Sequence, residues 1–281
     1  MEKTTKIFTA KEALPLLVIS LTASLFAKLL VDLMAFFATI YVAYDFDIYS
    51  YFDLNGVTFL TPTHSPEWYL DSKVSILLAA PIASMFIGLF SMAGLILIKR
   101  KLISFFFLLF WLNLYAFNNS AGILVDDFIA KTGFYNVVVL YKLPNEVLMV
   151  TSILAIYILY RIGMVNTLIF RTSIEEQFKN LFKNRLFIFL ITIFVPWIAN
   201  GVLPLFSKNP NIELMFFLRG ASMIVLFFPF FTYRPKKKIV SKVEIISKVL
   251  PADWVNTALY ILGIFMLFMV LNHGVFIFSN N

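Results

Sequence analysis

The chain has 281 residues, of which 60% are hydrophobic and 14% charged, with a formal net charge of +7 and a mean hydropathy of +0.87. Soluble domains hold roughly 45–50% apolar and about 25% charged residues, so this balance leaves too little polar surface for a water-soluble enzyme and too much apolar surface for a disordered chain. Cysteine is absent, which removes disulfides, thiolate metal sites and cysteine nucleophiles, and the two histidines are few for a haem or zinc protein.

Spanning a bilayer takes about 20 mostly apolar residues per helix. Seven stretches meet or approach that length: 14–43, 74–98, 102–125, 147–170, 186–206, 212–233 and 254–277. Each is predicted to be helical, because a lone segment in lipid must satisfy its own backbone hydrogen bonds. The fold class is thus all-α, a single polytopic bundle of about seven spans over 1–281. The run after Lys3, Lys6 and Lys11 looks like a signal peptide at first. It passes through Lys28 to Tyr41 without a good small-residue cleavage site, so it is read as the first span.

Charge sets the orientation. With the N-terminus inside, segments 1–13, 99–101, 171–185 and 234–253 carry 16 Lys and Arg, against 4 in 44–73, 126–146 and 207–211. The positive-inside rule therefore predicts an inner N-terminus and an outer C-terminus. The net charge reflects this topology and predicts no nucleic-acid partner. Arg234, Lys236, Lys237 and Lys238 follow the sixth stretch and are suited to anionic lipid headgroups at the inner surface.

The first outer loop, 44–73, carries Asn55-Gly56 between β-prone runs 49–54 and 57–61, which predicts a small hairpin. Trp68 and Tyr69 suit the membrane interface. The second outer loop is predicted to begin at Asp126-Asp127, and its stretch 137–141 also reads as interfacial. On the inner side, 239–250 and 174–182 repeat apolar residues at helical spacing, predicting surface helices.

Ionisable residues inside spans are costly, so they are the best functional leads. Ser20, Ser24, Lys28 and Asp32 recur every four residues and form a stripe on one face of the first span. Lys28 and Asp32 are expected to pair, either as a neutralised pair packed on a neighbouring helix or as one wall of a hydrated path. Asn118, Asn119 and Ser120, Asn200, Arg219, and Asn272 with His273 are placed toward the outer ends of four spans. They make a candidate outer polar pocket, with interhelical hydrogen bonding as the plainer alternative. Pro196, Asn200, Gly201 and Pro204 predict a kinked or broken fifth span. Arg161 reaches the inner interface and reads as structural.

Enzyme signatures mostly fail. There is no HExxH, no phosphate-binding loop and no lysine in the last span for a Schiff base. Gly220-Ala221-Ser222 resembles the start of the serine motif of rhomboid proteases, but Met223 stands where that motif has glycine. No cofactor or metal is expected. The reading that explains most is a non-catalytic subunit of a larger membrane complex, with the bilayer and other membrane proteins as partners, in a bacterial inner membrane. The alternative is a small transporter or lipid-handling protein with an outward-facing pocket. A membrane-embedded hydrolase or transferase ranks last.

Overall fold

A computed structural model describes residues 10–54, 56–98, 100–175, 185–202, 222–232, 244–245 and 249–276. In chain order the elements are α1 (Ala10–Asp45), β1 (Ser50–Asp53), β2 (Gly56–Phe59), α2 (Leu70–Leu97), β3 (Arg100–Lys101), α3 (Ile103–Phe117), α4 (Ile123–Ala130), α5 (Phe134–Leu140), α6 (Asn145–Phe170), α7 (Arg185–Phe189), α8 (Val195–Val202), α9 (Ser222–Thr232), β4 (Glu244–Ile245), α10 (Pro251–His273) and β5 (Val275–Phe276). π-helical turns join α3 to α4 at Asn118–Gly122, extend α6 at Arg171–Glu175, and join α7 to α8 at Leu190–Phe194. Among the described residues, five helices are long and apolar enough to cross a membrane: Ala13–Asp45, Leu70–Leu97, Ile103–Ala130, Asn145–Ile174 and Pro251–His273. Within the fifth and sixth predicted spans, the described residues form the apolar helices Leu186–Gly201 and Ser222–Thr232.

Helix α3 is the hub. Phe106, Phe107, Phe110, Trp111 and Leu114 are fully buried against Leu16, Ile19, Ala23, Ala27 and Val31 of α1. The small residues Ser20, Ala23, Ser24 and Ala27 let the two backbones approach, the usual device where lipid offers no hydrophobic drive between helices. Close approach recurs at Gly163 on α6, where an added Cβ would lie 2.4 Å from the Leu226 carbonyl of α9. On the last helix, a Cβ at Gly263 would lie 2.6 Å from the Phe26 ring.

Both loop systems are tied together. The hairpin β1–β2 forms, and β5 adds as a third antiparallel strand through Tyr51↔Phe276 and Phe52↔Val275. At the opposite end, β3 pairs in parallel with β4 through Arg100↔Glu244 and Lys101↔Ile245. The end of α1 therefore shares one end of the bundle with the end of α10. An even number of crossings separates them, so α7–α8 and α9 either both cross or both do not.

Several expectations are corrected. Asp53 pairs with Gly56, so the hairpin connection is 54–55, one residue earlier than the Asn55-Gly56 turn. Gly56, at φ 121, meets the conformational demand as the first residue of β2 instead. The inner segment 239–250 is not helical at Glu244–Ile245, because backbone pairing with β3 takes those residues. Of 174–182, only residues 174 and 175 are described, where the π-turn continues α6. Asp126 and Asp127 do not open a loop. They lie inside α4, 5% and 2% exposed, so the third span runs on to Ala130. The fifth span, expected to be kinked or broken, is distorted by the π-turn Leu190–Phe194 just before Pro196, and Pro204 lies outside the described residues.

Candidate functional site

The stripe on α1 meets a matching stripe on α3. Trp111, Tyr115 and Asn119 recur every four residues, as do Ser20, Ser24, Lys28 and Asp32, and the side chains meet in tiers. In the lowest tier, Trp111 Nε1 donates to Ser20 Oγ at 3.0 Å, and Ser20 donates in turn to the Thr192 carbonyl. That carbonyl's ordinary helical partner would be the N–H of residue 196, which proline lacks. Pro196 thus opens an acceptor that α1 fills, and the π-turn Leu190–Phe194 is the local adjustment.

In the middle tier, Ser24 Oγ and Tyr115 OH lie 3.0 Å apart. Asn200 Nδ2 donates to Ser24 Oγ and, at 2.6 Å, to Tyr115 OH. Ser24 and Asn200 are 0% and 2% exposed, and Asn200 Oδ1 is buried with no hydrogen-bond partner among the described residues.

In the upper tier, Lys28 Nζ donates to Asp32 Oδ2 at 2.9 Å, and Asn119 Nδ2 donates to Asp32 Oδ1 at 3.3 Å. This tier differs from the others in its access: the Lys28 and Asp32 side chains keep 20% and 22% of their surface. Lys28 stands about halfway along α1, roughly 27 Å from its start at 1.5 Å per residue.

The π-turn Asn118–Gly122 sends neighbouring asparagines to different partners. Asn119 reaches Asp32, while Asn118 Oδ1 accepts from Ser222 Oγ on α9 at 3.0 Å. Gly122 is required beneath that bond, since a Cβ there would lie 2.8 Å from Asn118 Oδ1 and 3.0 Å from Ser222 Oγ. Ser120 Oγ donates to the Phe117 carbonyl at 3.2 Å and stays within its own turn.

The candidate residues therefore divide. Lys28, Asp32, Asn118, Asn119 and Asn200 gather around the middle of α1 and of the span Ile103–Ala130. The longer third span lowers Asn118 and Asn119, and Asn200 stands level with Ser24 of α1. Asn272 and His273 are exposed on the last turn of α10, beside the small sheet, and do not join them. Arg219, Arg234, Lys236, Lys237 and Lys238 lie outside the described residues. No family model matches the chain, and no curated protein or solved structure gives a significant match. Among the described residues, no group of three or more acidic or histidine side chains is placed to hold a metal ion.

Sequence reasoning missed three polar nodes. Trp111 and Tyr115 sit in an aromatic-rich run that reads as lipid-facing, and only their shared period with Asn119 marks them. Asn113 links three helices: its Nδ2 donates to the Gly88 carbonyl of α2 at 2.9 Å, and its Oδ1 accepts from Asn166 Nδ2 of α6 at 2.7 Å. Asp253, fully buried, accepts from Ser104 N and Oγ at 2.9 and 2.8 Å through one oxygen. Through the other it accepts from Leu250 N at 2.9 Å. One carboxylate thus caps the N-termini of α3 and α10.

Proposed function

We propose that this chain is an integral membrane protein of seven crossings, N-terminus inside, that serves as a non-catalytic subunit of a larger membrane assembly. The use of its mid-depth polar groups carries this reading. Ser24, Tyr115 and Asn200 bond one another, Ser222 bonds Asn118, and Ser20 bonds Trp111 and the Thr192 carbonyl, which ties α1, α3, α8 and α9 together. Ser222 faces Asn118, while His273 is exposed at the end of α10, which gives a serine mechanism no support.

The outward faces are apolar. Phe90, Ile153 and Phe265 are 74%, 56% and 62% exposed, a surface suited to lipid tails and to partner helices alike. The orientation rests on charge, and the pairing of β3 with β4 supports it by joining two segments of the basic set. Purification from the native membrane in mild detergent, after cross-linking, tests the assembly. Stoichiometric membrane partners are expected, and a lone protein carrying only lipid overturns this reading.

A second reading, a small transporter, is favoured by the partial exposure of the Lys28–Asp32 pair at mid-depth. Intramembrane ionisable groups with access mark substrate and ion pathways. Here loss of flux on Asp32→Asn, in a protein that still folds, is the expected result.

A further inference from the structure

We propose that the outward face of α6 around Arg161 is a docking surface for a transmembrane helix of another membrane protein, one that carries an aspartate or glutamate at the same depth. This inference rests on the subunit reading and names the partner's chemistry. Val150, Leu154, Tyr157, Ile158 and Val165 are between 40% and 63% exposed and recur with Arg161 at helical spacing. Arg161 is itself exposed, while Ser152, Ala155, Leu159, Gly163 and Asn166 are buried on the opposite face.

Depth makes this charge informative. Arg161 follows Asn145 by 16 residues and precedes Ile174 by 13, so at 1.5 Å per residue it stands about 24 Å and about 20 Å from the two ends of its span. Half of a bilayer core is about 15 Å, more than an arginine stem covers, and snorkelling serves side chains near helix ends. The Cα–Cβ bond of a helical residue also tilts toward the helix N-terminus, here the Asn145 end and away from Arg171. Arg161 therefore does not reach the inner interface expected for it. A guanidinium is a permanent cation in proteins, and among the described residues no carboxylate and no hydrogen-bond acceptor engages this one. Facing lipid alone it is costly, and facing a partner's acid it is a recognition element.

Charge selects the occupant. A carboxylate on a facing helix neutralises the guanidinium and accepts two parallel hydrogen bonds from it, which fixes the depth and rotation of the two helices together. The apolar stripe on either side of Arg161 supplies the packing surface. A wholly apolar helix leaves the cation unpaired. A second copy of this chain offers no match among the described residues. Asp32 is engaged by Lys28 and Asn119, Asp126, Asp127 and Asp253 are buried, and the other acidic residues lie at helix ends or outside the helices. Among the described residues, no other charged side chain is exposed at the middle of a span.

Photo-cross-linking from this face is the test. The photoreactive residue p-benzoylphenylalanine replaces Tyr157, one turn from Arg161, in the tagged full chain in its native membrane. After irradiation the joined peptides are identified by mass spectrometry. The expected product links position 157 to an apolar stretch of a second protein that has Asp or Glu within one helical turn of the link. Arg161→Leu is expected to stay folded, checked by size-exclusion chromatography, and to cut the yield of that product at least tenfold, whereas Arg161→Lys keeps most of it. Arg161→Asp is expected to abolish the product, and replacing the partner's acid by arginine in the same cells to restore it. Links to phospholipid alone, to a second copy of this chain, or to a helix without an acid at that level overturn the proposal. So do a yield unchanged by Arg161→Leu and a charge exchange that restores nothing. Where stoichiometric partners still co-purify in those cases, the subunit reading stands and this contact alone is wrong. A wild-type chain that purifies alone overturns both.

Discussion

Removing the Asp253 carboxylate tests the packing logic most directly. Its three hydrogen bonds reach Ser104 N, Ser104 Oγ and Leu250 N, and so close the first turns of two helices. Bonds to a charged acceptor contribute about 1.5–3 kcal/mol each, which sets an upper bound of roughly 4.5–9 kcal/mol for Asp253→Ala. Loss of two N-caps, at about 1–2 kcal/mol each, sets a lower estimate of roughly 2–4 kcal/mol. Water reaching the freed groups at the membrane surface pulls the result toward the lower figure, so a loss of about 3–4 kcal/mol is expected. Asp253→Asn keeps an acceptor for Ser104 but turns an NH2 toward Leu250 N, and is expected to lose about half as much. Unfolding by dodecyl sulfate in mixed micelles, followed by tryptophan fluorescence, measures both. If the two variants unfold within about 0.5 kcal/mol of wild type, the carboxylate does not hold α3 and α10 together and the reasoning is wrong.

Other variants probe separate joints. Tyr115→Phe leaves Asn200 Nδ2 and Ser24 short of a partner and is expected to cost about 1–2 kcal/mol in the same assay, consistent with interhelical hydrogen bonds in lipid. Gly163→Val drives a side chain into the Leu226 carbonyl, already 2.4 Å from an added Cβ, and is expected to separate α6 from α9 and abolish recovery of folded monomer in size-exclusion chromatography. Because the native chain has no cysteine, Phe52→Cys with Val275→Cys is expected to cross-link on mild oxidation, whereas Thr58→Cys with Val275→Cys is not. Thr58→Cys is expected to react with an impermeant maleimide from outside intact cells, and Lys101→Cys only after permeabilisation. The reverse pattern inverts the proposed orientation.

The long spans are legible in the sequence because lipid imposes a simple rule: an apolar run of sufficient length has few options but to become a helix. The α1 stripe is legible because a spacing of four places Ser20, Ser24, Lys28 and Asp32 on one face, and the Lys28–Asp32 bond follows from that spacing alone. Depth was less legible. Asp126 and Asp127 look like the start of a loop, yet a buried aspartate inside a helix is sustained once its oxygens have donors. Asp127 receives Thr132 Oγ1 at 2.9 Å and Phe134 N at 2.6 Å. That support comes from residues five and seven positions later, as the chain turns at Gly133. There, a Cβ would collide with the carboxylate. Hydropathy ends the span too early for this reason, five residues short of Ala130.

What the sequence determined by itself was local or one-dimensional: the apolar runs, the charge asymmetry between their connections, the four-residue period of the polar stripe and the presence of a hairpin. Each depends on neighbours along the chain or on the solvent, so each is written into spacing and composition. What the tertiary structure alone decided was pairing between distant segments. It set Trp111 and Tyr115 against Ser20 and Ser24, the Pro196-freed carbonyl against α1, Asp253 at the head of two helices, and the tail strand against the hairpin. In lipid such contacts carry little hydrophobic signal, since every surface is apolar, and the partners are selected by shape and by the few polar groups that need satisfying.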